Sequence, residues 1–586
     1  MAKLVEEIRA SKGGSKPGPL SWTGPVVRCY LVHSLPAAAF RMATSPSGHQ
    51  RTSRGGSATG DMLTLASGAA AKELPDQEGF SSEHWPLRGG TANDENGRHR
   101  LLIKAAARHS WAGYLRFAYG HDELAPLSRN HSDTFCGVGA TMIDSLDTLW
   151  LLGMRREFAR ARTWVATELD FNRNCNVSVF EMVIRGVGGL LAAHDLSGDV
   201  LFLERAEELT ERLMPAFATP TGLPNSTINL ATGESAAMAW ANGGAVLSEL
   251  GSVQLELVRL SQATGRPSFG AAVERIIRFL DTAFHGQGLL ASVIRIETGE
   301  AWNEVKSMGA GSDSYYEYLL KLWLLGGKRE PLYRDMWVRA MDDMAEQLVF
   351  RSGDLRFLGR RSGENLTTVM EHLACFVPGN LALGVESGAV AGAKADEYLA
   401  LAAELTVACF QMYAQQPSGL APEVSAVSPV GRLQALPDVS FNILRPEAVE
   451  SLYMMWRVTG EPRFREMGWR IFQAFNASCR VDTGGFAAVS NVTQLPPQRF
   501  DKMESFWLSE TLKYLYLLFT PPSVLPADAF VLNTEAHPLR VAGTAPVVGT
   551  APVSGTAPAA APAMLQAVAG AAAEAAWALE GGLGVM

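Results

Sequence analysis

From Leu101 onward, apolar residues recur at three- and four-residue intervals, and the pattern predicts helices near 101–118, 141–153, 178–195, 200–217, 246–263, 268–284, 313–325, 331–349, 369–384, 394–414, 446–459, 462–477 and 503–519. Turn chemistry separates them: Ser197-Gly-Asp199, Thr264-Gly-Arg-Pro267, Gly326-Gly327 and Thr459-Gly-Glu-Pro462. These short turns fall inside pairs. Longer links such as Pro220-Thr-Gly-Leu-Pro224 and Ser418-Gly-Leu-Ala-Pro422 fall between them. Roughly six and a half helical hairpins at about 65-residue spacing predict an all-α fold, either a closed ring of hairpins or an α-solenoid.

The acids choose between these two. In Leu444-Arg-Pro-Glu-Ala-Val-Glu-Ser451 a helix is expected to begin at Pro446, which has no N–H to lose at a first helical position. Glu447 and Glu450 then share one side of its first turn, where the macrodipole favours their ionised forms, and Leu452 to Trp456 is almost unbroken apolar sequence. Glu181, Asp313 with Glu317, Glu371, and Glu504 with Glu510 likewise stand ahead of apolar runs. One such acid could merely serve a helix dipole. Five point to a shared acidic cavity, and a ring that closes around a single pocket supplies it. Beyond Phe519 the chain reads as extended from Phe530 to Leu539.

Composition divides the chain. Residues 1–97, rich in Gly, Ser, Pro and Arg, read as a disordered leader. Residues 98–540 carry the helical pattern. Residues 541–586, with Gly-Thr-Ala-Pro repeating from Gly543, read as a low-complexity tail in which Met564–Leu579 forms at most a weak helix. A net charge of −9 without a Lys/Arg block argues against nucleic acid as a partner and for a neutral or cationic ligand or a metal. The six cysteines are too few for a disulfide scaffold and lack zinc spacing. Sequons at Asn130, Asn176, Asn225, Asn365, Asn476 and Asn491 weakly favour a secretory route. No apolar run reaches the length of an ordinary transmembrane helix. Pro25–Phe40, interrupted by Arg28 and His33, reads as part of the disordered leader, with a poor anchor or signal as the alternative.

Paired carboxylates with room for a water between them are what glycoside hydrolysis requires, one protonating the leaving oxygen and the other activating water. Phe506, Trp507, Tyr315 and Tyr316 could stack on sugar faces, although each type is more often core. The strings Gly137-Val-Gly-Ala-Thr-Met-Ile-Asp-Ser-Leu-Asp-Thr-Leu-Trp150, Val177-Ser-Val-Phe-Glu-Met-Val-Ile-Arg185, Asp313-Ser-Tyr-Tyr-Glu-Tyr-Leu-Leu-Lys321, Met370-Glu-His-Leu-Ala-Cys-Phe-Val-Pro-Gly-Asn-Leu-Ala-Leu-Gly384, Asp501-Lys-Met-Glu-Ser-Phe506 and Asn533-Thr-Glu-Ala-His-Pro-Leu539, with the Leu444 stretch, resemble glycoside hydrolase family 47, the class I α-1,2-mannosidases, over residues 98–540. The resemblance implies an (α/α)7 barrel plugged by a C-terminal extended segment. It also implies removal of terminal α-1,2-linked mannose from high-mannose N-glycans with inversion, a bound Ca²⁺, and a place in the lumen of the endoplasmic reticulum or Golgi.

Carried over by motif, the resemblance makes Glu181, Asp313 and Glu447 the catalytic acids. Glu447 is the base, and whether Glu181 or Asp313 delivers the proton stays open. Thr534 matches the Ca²⁺ ligand, through its carbonyl and hydroxyl. Glu371, Glu450, Glu504, Glu510 and Glu535 match acids that hold the ion's waters or the sugar, Phe506 matches the aromatic under the terminal mannose, and Arg185, His372, Glu423 and Arg445 match further pocket residues. Arg185 could equally serve only to pair Glu181 one turn away, and His372 could be a satisfied core histidine. Cys375 and Cys409 match the family's disulfide; Cys29, Cys136, Cys175 and Cys479 match none. Members are usually anchored by one N-terminal helix, and this sequence departs from that. Gly311 stands where some relatives carry an arginine that grips one glycan branch, which implies broad trimming. Two other readings are a glycan-recognising quality-control factor with weak or no trimming activity, and a solenoid scaffold with accidental acids.

Overall fold

A computed structural model describes residues 94–544. The leader before residue 94, Cys29 and Met564–Leu579 lie outside the described residues. The first helix, Glu95–Phe117, starts ahead of the apolar periodicity because Asp94 caps it by accepting from Gly97 N–H.

Among the described residues, seven helical hairpins form a ring. The inner helices are Leu146–Leu151, Gly188–Ser197, Gln254–Thr264, Asp313–Leu325, Val377–Glu386, Glu447–Thr459 and Leu512–Leu518, each packed on the next. Outside them lie Arg155–Thr167, Val200–Leu213, Pro267–Ala283, Pro331–Gln347, Ala393–Ala414, Pro462–Ser478 and, closing the circle, Glu95–Phe117 against Leu512–Leu518. The closed (α/α)7 barrel therefore replaces the open solenoid. Burial separates the two layers. Every residue from Ser314 to Leu325 is buried, whereas Val200–Leu213 buries only the stripe Phe202, Ala206, Leu209, Thr210 and Leu213. Pro267, Pro331 and Pro462 open outer helices, and Gly198, Gly265 and Gly460 end the inner helices ahead of Val200, Pro267 and Pro462 in the left-handed region.

Several expectations are corrected. Arg155–Thr167, absent from the pattern reading, is a helix whose four arginines leave a thin stripe of Phe158, Ala161, Trp164 and Val165. Val369–Glu371 is a strand paired with Val424–Val427, so the helix expected from 369 begins at Val377. A short apolar run cannot by itself be told from a buried strand. Met503 bridges Leu124, and helical structure there begins at Trp507. Pro446 is the N-cap rather than the first helical residue.

Small antiparallel sheets occupy the links into the inner helices. The last hairpin, Phe530–Leu532 with Pro538–Arg540, packs against the helices Gly188–Ser197, Gln254–Thr264 and Asp313–Leu325. Glycine lets it in: a Cβ on Gly188 would lie 2.7 Å from Asn533 Nδ2. Asn533 Nδ2 donates to Ile184 O and Glu256 Oε1, and its Oδ1 accepts from Glu535 and His537 N–H. Below the tip, His537 and Lys513 both bond Asp147, so the plug is held by buried charge as well as by packing. Disulfides join Cys375 to Cys409 and Cys136 to Cys175; Cys479 is free and buried.

Candidate active site

One wall of the cavity is built on the turn before Glu447. Leu444 holds φ +73°, a conformation costing a bulky residue about 1–3 kcal/mol, secured by Asn442 Oδ1 accepting its N–H and Thr511 Oγ1 donating to its carbonyl. The turn delivers Arg445 and Glu447 side by side. Arg445 Nε donates to Glu423 Oε2 at 2.7 Å and its Nη1 lies 3.9 Å from Glu447 Oε1. His372 Nδ1 is 2.7 Å from Glu447 Oε2 while its Nε2 is 2.7 Å from Tyr413 OH. His372 is thus both a satisfied buried histidine and a partner of the candidate base. Burial opposes the charge on Glu447, but His372 and Arg445 outweigh it and hold this carboxyl below its ordinary range.

The opposing wall centres on Arg185. Ser178 caps the short helix that ends at Glu181, and a π-helical segment, Met182–Val187, then turns Arg185 inward. Its Nε donates to Glu181 Oε2 at 2.7 Å, and its Nη1 reaches Ser505 Oγ at 3.3 Å and Glu535 Oε1. The guanidinium therefore does more than pair Glu181. Phe506 lies between Arg185 and Arg445, whose guanidinium carbons are 5.8 and 5.9 Å from the ring centre. The other aromatics offered for sugar stacking are core instead: Trp507 is fully buried and donates to Ser110 Oγ, and Tyr316 OH accepts from Leu290 N–H.

Asp313 and Glu371 flank the Gly309–Ser312 turn. Glu371 accepts from Ala310 N–H at 2.9 Å and from Arg360 at 3.2 Å, and Asp313 accepts from Ser314 N–H at 3.0 Å. Burial, with repulsion from Glu447, Glu317 and Glu371, pushes the Asp313 carboxyl up to about 8.

Between the walls lies a crowd of carboxylates. Glu450 accepts from Tyr514 OH at 3.2 Å and lies 3.8 Å from Lys321 Nζ, which also bonds Glu317. Burial and then neighbouring acids push Glu450 up to about 8; burial and Asp144 do the same for Glu535, and Glu510 rises well above its ordinary range. Thr534, at the tip of the plug, directly precedes Glu535, and its N–H meets Tyr318 OH at 3.4 Å. Oxygen donors in excess of Arg185 and Lys321 make a site suited to a hard divalent cation.

The pattern reading overlooked several contributors. Glu249 lies in the short helix Leu247–Gly251 that precedes the inner helix Gln254–Thr264; burial raises it to about 8, and Glu181 repels it. Tyr413 and Phe135 support His372 and Arg185. Glu504 pairs with Lys502, which also faces Glu123. A lysine within an apolar run, as at Lys321 and Lys513, was the legible signal of a buried charge network.

The sequence profile of glycosyl hydrolase family 47 matches residues 106–541. Mannosyl-oligosaccharide 1,2-alpha-mannosidase MNS1 of Arabidopsis thaliana is 44% identical over 452 residues, covering 76% of this chain and 79% of that protein. The human endoplasmic reticulum mannosyl-oligosaccharide 1,2-alpha-mannosidase is 44% identical over 448 residues, 74% of this chain but only 62% of the human protein's length. The structure of an alpha-1,2-mannosidase from Trichoderma reesei superposes with a TM-score of 0.71 at 30% identity, covering 76% of this chain and 99% of that one.

Proposed function

The chain belongs to glycosyl hydrolase family 47, and from that premise we propose that it is an exo-α-1,2-mannosidase that trims terminal α-1,2-linked mannose from high-mannose N-glycans with inversion. The observation that carries the reading is a pair of acids driven apart: Glu447 held ionised by His372 and Arg445, Asp313 held protonated to about 8. Glu447 takes the proton from the attacking water. Asp313 keeps at neutral pH the proton that the leaving oxygen needs, with Glu181, fixed by Arg185, on the facing wall. Phe506 supplies the apolar face against which the sugar ring lies.

Thr534 and the acids Glu450, Glu510 and Glu535 would together hold Ca²⁺ directly or through water. When bound, the ion supplies a fixed positive charge that orients sugar hydroxyls. Two disulfides and six sequons support a secretory lumen. Among the described residues no helix is long and apolar enough to cross a membrane. Incubation of the protein with a nine-mannose N-glycan tests the proposal: free mannose is expected, whereas tight glycan binding without release would favour the quality-control reading.

A further inference from the structure

The hairpin of Glu123–Ala125 and Asn130–Ser132 carries a polar cluster with no part in the proposed hydrolysis. His121 Nδ1 lies 3.0 Å from Asp133 Oδ2, and His131 Nε2 lies 4.0 Å from the same oxygen. One donor atom from each of the three residues falls within 4.8 Å of the other two. Strand register causes this. Glu123 pairs with Ser132, which sets the residues just before one strand beside those just after the other. Asp133 is further oriented by accepting from Asp122 N–H at 3.2 Å. His131 and Asp133, two apart along an extended backbone, project to the same side. The two imidazoles lie face to face, with centres 3.4 Å apart and planes 13° from parallel.

A hairpin needs only one histidine–aspartate bond to brace it. Two imidazoles and a carboxylate brought together are a donor set. We propose that His121, His131 and Asp133 form a second metal site, one that takes Zn²⁺. Two nitrogens and one oxygen, with water in the fourth position, suit Zn²⁺ and are poor for Ca²⁺, which wants oxygen alone. Zinc–ligand bonds of about 2.0–2.1 Å put tetrahedral donors roughly 3.3 Å apart, so His131 rotates out of the stack to aim Nε2 at the ion. Side-chain exposures of 40%, 35% and 38% for His121, His131 and Asp133 leave room for that rotation.

The metal would clasp the base of a loop that lines the cavity. Asp133 Cγ lies 3.3 Å from where Gly137 would carry a Cβ. Thr134 Oγ1 donates to Glu123 Oε2 at 2.8 Å, Phe135 faces the Arg185 guanidinium carbon at 5.5 Å from its ring centre, and Cys136 is tied to Cys175. Zinc therefore acts as a brace remote from the reacting atoms.

Titration of the Ca²⁺-saturated full chain with Zn²⁺ by calorimetry, together with thermal melts and the absorption spectrum of the Co²⁺-loaded protein, tests the site. The expected result is a single equivalent of Zn²⁺, a raised melting temperature and a tetrahedral Co²⁺ spectrum. His131→Ala and Asp133→Asn should each weaken Zn²⁺ by about tenfold or more, as loss of a ligand demands. Both variants should keep native circular dichroism and unchanged mannose release in zinc-free Ca²⁺ buffer. No uptake by the wild type, or equal uptake by wild type and both variants, would overturn the site and leave a hairpin hydrogen bond only. Because the readout is metal uptake, it is independent of whether mannose is released.

Discussion

Glu447 and Glu450 sit in the first turn of one helix, feel the same dipole and are equally exposed, at 13% of the side chain, yet they are pushed in opposite directions. Glu447 has a histidine and an arginine against it; Glu450 has Glu317, Glu447 and one shared lysine. The dipole argument, applied to both, expects two ionised carboxylates and is right for one. Neighbouring charges and hydrogen bonds decide the charge, and position along a helix only biases it.

The difference predicts different failures. Glu447→Gln should lower kcat by about 10²–10⁴-fold while leaving glycan binding intact, and added Ca²⁺ should not rescue it. Glu450→Gln keeps the shape of a carboxyl that is already protonated without metal, so its loss should appear as weaker Ca²⁺ binding, recovered at higher Ca²⁺. Calcium titrations of kcat for the two variants compare them directly, and equal rescue would erase the distinction.

Removal of Ca²⁺ with EGTA should abolish turnover and lower the melting temperature, since an ion present at about a hundred times its Kd stabilises the fold by about 2.7 kcal/mol. Thr534→Val should weaken Ca²⁺ at unchanged fold. Full activity of protein shown by elemental analysis to be metal-free would remove the ion from the site.

The metal-free protein should also respond to pH. Glu450 and Glu535 bind protons in the folded state up to about 8 but release them near the ordinary range when unfolded. Between those limits the native state carries more protons, so stability should fall as pH rises toward 8, and saturating Ca²⁺ should flatten the slope. Melts at several pH values with and without Ca²⁺ measure this; a slope that Ca²⁺ leaves untouched would mean that the acids are not the ion's ligands.

The smallest effect concerns branch choice. Gly311 lies at φ +86°, and its carbonyl accepts from Ser248 N–H. Successive loss of several mannoses is expected by chromatography, and one persistent eight-mannose isomer would refute broad trimming. Gly311→Arg should shift the profile toward that isomer, although a side chain at this φ is strained and also lowers stability.

Much of the ring was legible because inner helices are apolar around most of their circumference and outer ones carry a stripe, with glycine and proline at the joints. The pattern failed where alanine and arginine thinned the stripe, in Arg155–Thr167, and where β-structure mimicked a buried helix, at Val369–Glu371. For the site, acids heading apolar runs marked the cavity, and family motifs supplied the roles. What no linear pattern carries is the pairing across the ring. Arg185 with Glu535 and His372 with Glu447 join residues far apart in sequence, and those contacts set the charge states.

The plug has a consequence for biosynthesis. Thr534 and Glu535 follow the last inner helix, and the helix that closes the circle from outside is the first one described, Glu95–Phe117. During synthesis, six hairpins can emerge and pack before the ring has either its closing pair or the residues at its centre, so contacts of long sequence separation come last and folding is slow. A nascent chain would expose a half-built acidic trough and cleave nothing. Termination of translation anywhere before about residue 540 would yield a barrel without a centre, which makes activity a report that the ribosome reached the end of this domain.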